Sequence, residues 1–195
     1  MPEHRKPATL ADRDRPVASV NLAIRGFSDQ SQVPVETIVR WLEALPNFHL
    51  AGLDAVIFDP RRRLDPMLAD LPLLATPTHK GQFVKADRQV LIHDFATADE
   101  LQHILYHEIG HHVFERVLST TQRHHWVLEL SRRTSARITR YARRNALEDF
   151  AESYAVFVTD PGRVENLHRK YTFLREEVFG GVARNIDKGF LDISV

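Results

Sequence analysis

Thr97-Ala98-Asp99-Glu100-Leu101-Gln102-His103-Ile104-Leu105-Tyr106-His107-Glu108-Ile109-Gly110-His111-His112-Val113-Phe114 is the stretch on which the reading of this chain turns. Thr97 with Glu100 three residues later forms a capping-box pattern, which opens a helix. The spacing predicts that the helix runs to about Leu118. Its apolar residues, Leu101, Ile104, Leu105, Ile109, Val113, Phe114, Val117 and Leu118, cover much of the circumference, as expected of a central, mostly buried helix. His107 and His111 are four residues apart and so share one face, one turn apart. Two imidazoles so placed suit two neighbouring ligands of a tetrahedral Zn²⁺. Glu108 points roughly 100° further around the helix, too far to bind the same ion but within reach of a water on it. This is the HExxH arrangement of two ligands and a general base.

A catalytic zinc site needs a third protein ligand and one open position. A third histidine at the spacing of the three-histidine class would fall on Val117, which excludes that class. Glu115 lies too far along the helix axis. The segment Asn145-Ala146-Leu147-Glu148-Asp149-Phe150-Ala151-Glu152-Ser153-Tyr154-Ala155 supplies the candidate. Glu148 and Glu152 are four apart on one face, and neither is followed at i+4 by Lys or Arg, as a solvated salt-bridged face would be. Ala151 and Ala155 are small enough for close helix packing. A helix bringing Glu148 to the metal and Glu152 to a ligand imidazole, preferably that of His107, completes a His₂Glu site with its outer support.

Composition narrows the alternatives. The 195 residues hold no cysteine, so thiolate metal sites, disulfides and a Cys nucleophile are excluded. Lys plus Arg is 26 and Asp plus Glu is 26, a balance that argues against a dedicated nucleic-acid or anionic-membrane partner. The N-terminus carries no apolar signal core, and no apolar run approaches the ~20 residues of a membrane span. A cytoplasmic location is the expectation, with export left open.

Along the chain, residues 1–16 are polar with three prolines and read as a flexible arm, and residues 17–195 as a single domain. Val17 to Phe27 reads as a strand, Val35 to Leu45 as an amphipathic helix between Pro34 and Pro46, and Leu53 to Phe58 as a second strand. An irregular connection follows, with Arg61-Arg62-Arg63 and Pro66, Pro72 and Pro77. Gln82–Val84 and Gln89–His93 read as a hairpin turning near Ala86-Asp87. Helix is expected from Gln122 to Thr159 with a break near Tyr141, then from Pro161 to about Phe179, closed by Gly180-Gly181. Strands first and helices later make an α+β fold with a small N-terminal mixed sheet and a C-terminal helical part. The hairpin over 82–93 offers an edge strand on which an extended peptide could lie.

Taken together, His107-Glu108-Ile109-Gly110-His111, Tyr141 and Glu148-Asp149-Phe150-Ala151-Glu152 resemble the lethal-factor-like zinc peptidases, the family of the anthrax lethal factor catalytic domain and the secreted Pro-Pro endopeptidases. Tyr141 stands seven residues before Glu148, and Glu152 four after it, as in that family's pattern. The likeness covers about residues 80–180. It implies a zincin-like fold, a gluzincin-type zinc endopeptidase, and a role for Tyr141 as hydrogen-bond donor to the developing oxyanion. No export signal is visible and the family's substrate-selecting loops are not identified in the sequence, so its preference for proline is not carried over. The HEIGHH run and the Glu-rich helix also resemble repressor-cleaving metallopeptidases of the stress-response type, which have a shorter gap to the third ligand. A non-catalytic zinc-binding regulator is a third reading, disfavoured by the intact Glu108.

Other features are read as structural. Arg132, Arg133, Arg137, Arg140, Arg143 and Arg144 form a basic run, taken as a solvated helix face. His124, His125 and Trp126 are taken as surface or packing residues, and His112 as structural.

Overall fold

The computed structural model of the chain describes residues 15–16, 21–60, 80–132 and 137–180. In chain order these form β1 (Arg15–Pro16), β2 (Ala23–Arg25), α1 (Val35–Glu43), α2 (Asn47–Leu50), β3 (Ala55–Phe58), β4 (Gly81–Val84), β5 (Gln89–Ile92), α3 (Ala98–His112), α4 (Thr120–His125), α5 (Ala146–Thr159), α6 (Pro161–Glu165) and α7 (His168–Phe173). The architecture is mixed α+β. One sheet runs in the order β1-β2-β3-β5-β4. Strands β2, β3 and β5 are parallel, while β1 and β4 pair antiparallel at the two edges. Val90, Leu91 and Ile92 of β5 are all buried, the continuous apolar pattern of a strand covered on both faces.

Helix α3 begins where the capping residue predicts, with the Glu100 N–H donating to the Thr97 hydroxyl. It continues past His112 through a wide turn, Val113–Val117, closed by the Leu118 N–H on the Val113 carbonyl. Helix α5 packs directly against it. The contact is close because Gly110 faces the Ala151 backbone: a Cβ on Gly110 would lie 3.0 Å from Ala151 Cα and 3.3 Å from its carbonyl oxygen. Around this pair, Trp126 meets Phe150 and Phe173, and Phe179 meets Tyr154 and Phe157. These rings join the C-terminal helices into one apolar core with the sheet.

Several boundaries differ from expectation. Of the strand expected over Val17 to Phe27, positions 17–20 lie outside the described residues; within 21–27 the strand is β2, followed by a short turn at Phe27–Asp29. Gly26 ends it, with φ 74° and a Cβ position only 2.3 Å from the Phe58 carbonyl oxygen. A side chain there is excluded both by conformation and by space. The break expected near Tyr141 in the helix from Gln122 to Thr159 is there, at a short turn over Tyr141–Arg143, with one helical stretch before it and one after. Thr120 opens the first behind a Ser119–Gln122 capping box. The second starts at Ala146, where the Asn145 side chain accepts from the Leu147 and Glu148 N–H groups. The helix from Pro161 divides at Leu167, whose backbone is non-helical, into α6 and α7.

The irregular segment around Arg61–Arg63, Gly181, and Arg133 of the basic run lie outside the described residues. So does the arm over 1–16, apart from Arg15 and Pro16, which pair with β2. Among the described residues, no helix is long and apolar enough to cross a membrane.

Candidate metal centre

Helices α3 and α5 bring His107, His111 and Glu148 to one point. His107 Nε2 lies 3.1 Å from His111 Nε2 and 3.1 Å from Glu148 Oε2, and His111 Nε2 lies 3.4 Å from Glu148 Oε2. Ligand atoms at tetrahedral angles on one zinc ion stand roughly 3.3 Å apart. The three atoms therefore already have the spacing that a shared cation imposes.

The other His107 nitrogen settles what faces that point. His107 Nδ1 lies 2.8 Å from Glu152 Oε1, and the carboxylate can only accept, so Nδ1 carries the proton. In the neutral ring Nε2 is then a bare lone pair. It faces the buried Glu148 Oε2, which accepts no hydrogen bond of good geometry. Lone pairs crowded in a buried setting call for positive charge between them. A metal ion fits, and so does a proton. Burial alone would lower the His107 pKa, but Glu148, Glu152 and the charge of Glu108 overcome it and raise it from 6.5 to about 10. Burial likewise opposes ionisation of Glu148, yet its two histidine partners bring it down to about 2. The donor set, two imidazoles and a carboxylate, suits zinc among the common metals.

Glu108 is 7 % exposed and lies beside β4, where its Oε2 accepts the Phe83 N–H at 2.8 Å. Burial pushes its pKa up, against the pull of His107, His111 and the Phe83 N–H. A carboxylate so placed is ready to take a proton.

Tyr141 sits on a short turn, Tyr141–Arg143, beside the site, with its ring centroid 5.7 Å from that of His107. Arg144 donates to its phenol oxygen at 2.8 Å and lies over its ring. Partial burial and the nearby Glu148 raise the Tyr141 pKa, so the phenol keeps its proton.

Three contacts have no counterpart in the sequence reading. His103, one turn before His107, donates to the same Glu152 oxygen at 3.1 Å, and its i, i+4 spacing was the signal for it. Arg144 was grouped with a solvated basic face. The Phe83 main-chain donor leaves no trace in residue type. His112 instead turns to the Ala51 carbonyl, and Glu115 pairs with Lys85, so neither enters the site. Trp126 is buried in the core, and His125 packs against Phe173.

Comparison of the chain with family models, with curated proteins and with solved structures gives no match.

Proposed function

We propose that this chain is a zinc-dependent endopeptidase of zincin-like fold, with His107, His111 and Glu148 as ligands and Glu108 as general base. The observation that carries the reading is the convergence of His107 Nε2, His111 Nε2 and an unsatisfied Glu148 Oε2 within 3.1–3.4 Å. Three protein ligands leave a fourth position open, the mark of a catalytic rather than a structural site. The lethal-factor-like family is the proposed relation, on the spacing of Tyr141, Glu148 and Glu152.

When bound, zinc would supply Lewis acidity, lowering the pKa of a water and polarising a carbonyl. Glu108 accepts the proton of the attacking water and passes it to the leaving amine. Tyr141 accepts from Arg144 and so keeps its own hydrogen for the oxygen that gains charge. Glu152 holds the His107 ring through Nδ1. The substrate is an extended peptide added to the β4 edge.

Metal analysis of purified protein and a peptide-library digest, each with wild type and Glu108→Ala, test this. We expect about one zinc per chain in both proteins. Cleavage should occur in the wild type alone. Cleavage at the wild-type rate by Glu108→Ala, or a wild type that binds no divalent metal, would falsify the proposal.

A further inference from the structure

Among the described residues strand β4 is an edge, and its backbone groups alternate between facing β5 and facing away from it. The His93 N–H donates to the Lys80 carbonyl at 2.8 Å, so Lys80, Gln82 and Val84 face β5, and Gly81 and Phe83 face away. An outward N–H on an edge strand ordinarily meets water. The Phe83 N–H instead donates to the buried Glu108 carboxylate. Gly81 makes this approach possible. A Cβ there would lie 2.6 Å from Ile104 Cγ2 and 3.0 Å from both Cγ and Oε1 of Glu108, so these side chains or the strand itself would have to shift.

We infer that the main-chain N–H of Phe83 is a positioning group for Glu108. It fixes one carboxylate oxygen to the strand on which the substrate would lie and leaves the other for proton transfer. The inference rests on the peptidase reading for its catalytic consequence, though not for the bond itself. A peptide pairing with β4 would thereby be held on the same rigid element that aims the base. Gly81, two residues earlier, is the space that lets the strand and helix meet.

Two measurements test this. The first is amide hydrogen exchange, which needs no activity. The Phe83 amide should be protected in the wild-type protein and in Glu108→Gln, whose side-chain carbonyl still accepts. In Glu108→Ala it should exchange roughly ten- to a hundredfold faster, with the Leu91 amide unchanged. The second is kinetic. Phe83→Pro removes this donor without removing a bond to β5, since the N–H faces outward. It should lower kcat about tenfold or more with KM and zinc content kept. Phe83 exchange that Glu108→Ala leaves unchanged overturns the inference whether or not Phe83→Pro folds, and so does a wild-type kcat in Phe83→Pro. A wild type that cleaves no peptide sinks the peptidase reading instead, and the exchange result still decides the bond.

Discussion

Glu152 Oε1 lies 2.8 Å from His107 Nδ1, which commits the opposite nitrogen of that ring to the point shared with His111 and Glu148. A carboxylate behind a ligand imidazole fixes both the tautomer and the ring orientation. Glu152→Ala should therefore weaken zinc binding roughly 10- to 100-fold, measured by competition with a chromophoric chelator. An unchanged zinc affinity would remove Glu152 from the site. His103→Ala should have a smaller effect in the same direction, because it touches Glu152 and not the shared point.

Tyr141 is close to the site but is no part of the converging donor set. Tyr141→Phe should keep zinc content and folding and lower kcat about 10- to 100-fold, with little change in KM. Steady-state kinetics on a cleaved library peptide check this. Equal kcat in the two proteins would take the phenol out of the mechanism.

How much of this was legible beforehand follows from what residue types can encode. Helical periodicity turns the four-residue step between His107 and His111, and again between Glu148 and Glu152, into shared faces, so these four could be placed from spacing alone. Ala151 and Ala155 are small enough to mark the helix contact, whereas the Gly110 that Ala151 meets is not singled out by the sequence pattern. The sheet edge was readable from the alternation on either side of Ala86-Asp87. Other features depend on what tertiary neighbours do. The stop at Gly26 is set by the Phe58 carbonyl, more than thirty residues away. The Phe83 donor is main chain and carries no residue signature. Arg144 looked like its exposed arginine neighbours until the turn at Tyr141 placed it over the phenol.

The charges at the centre set a pH window for protein stripped of metal by a chelator. His107 is raised from 6.5 to about 10, because its carboxylate partners outweigh burial, so its contribution to stability is complete below 6.5 and lost as pH rises through about 10. Glu148 is lowered from 4.5 to about 2, because His107 and His111 outweigh burial, so its contribution is complete above 4.5 and lost as pH falls through about 2. These two groups together favour a maximum in Tm between 4.5 and 6.5 in the stripped protein. Zinc must displace the His107 proton, so binding at pH 7 should release about one proton. Calorimetric titrations in buffers of different ionisation enthalpy measure this directly. Zero release would show that His107 is not a ligand, or is already neutral.

Gly110→Ala sets two effects against each other. Alanine in a helix gains about 1 kcal/mol in propensity over glycine. The added methyl would meet Ala151 Cα at 3.0 Å, its carbonyl oxygen at 3.3 Å and Tyr154 Cβ at 3.3 Å. Two of these are main-chain atoms that no rotamer change can move, and overpacking of this kind costs about 1–3 kcal/mol. The net result should be a lower Tm. Zinc affinity should fall with it, since the contact holds α3, with two of the proposed ligands, against α5, with the third. A more stable variant with unchanged affinity would mean that the two helices are free to separate.

Next to Glu148, Asp149 is buried with Lys170, whose Nζ donates to both carboxylate oxygens at 2.6 and 2.8 Å. The pair ties α5 to α7 beneath the ligand helix. Burial lowers the Lys170 pKa, and the Asp149 carboxylate works against that. Removing one partner of a buried pair costs about 3–5 kcal/mol. Lys170→Met leaves Asp149 with Arg137, whose Nε is 3.7 Å away. Both single variants should destabilise the fold. The double variant Asp149→Leu with Lys170→Met should recover much of the loss, because both members of the buried pair are then removed together. Denaturant unfolding of the three proteins gives the cycle. Additive losses would show that the two side chains contribute independently and that the pair is not what joins these helices.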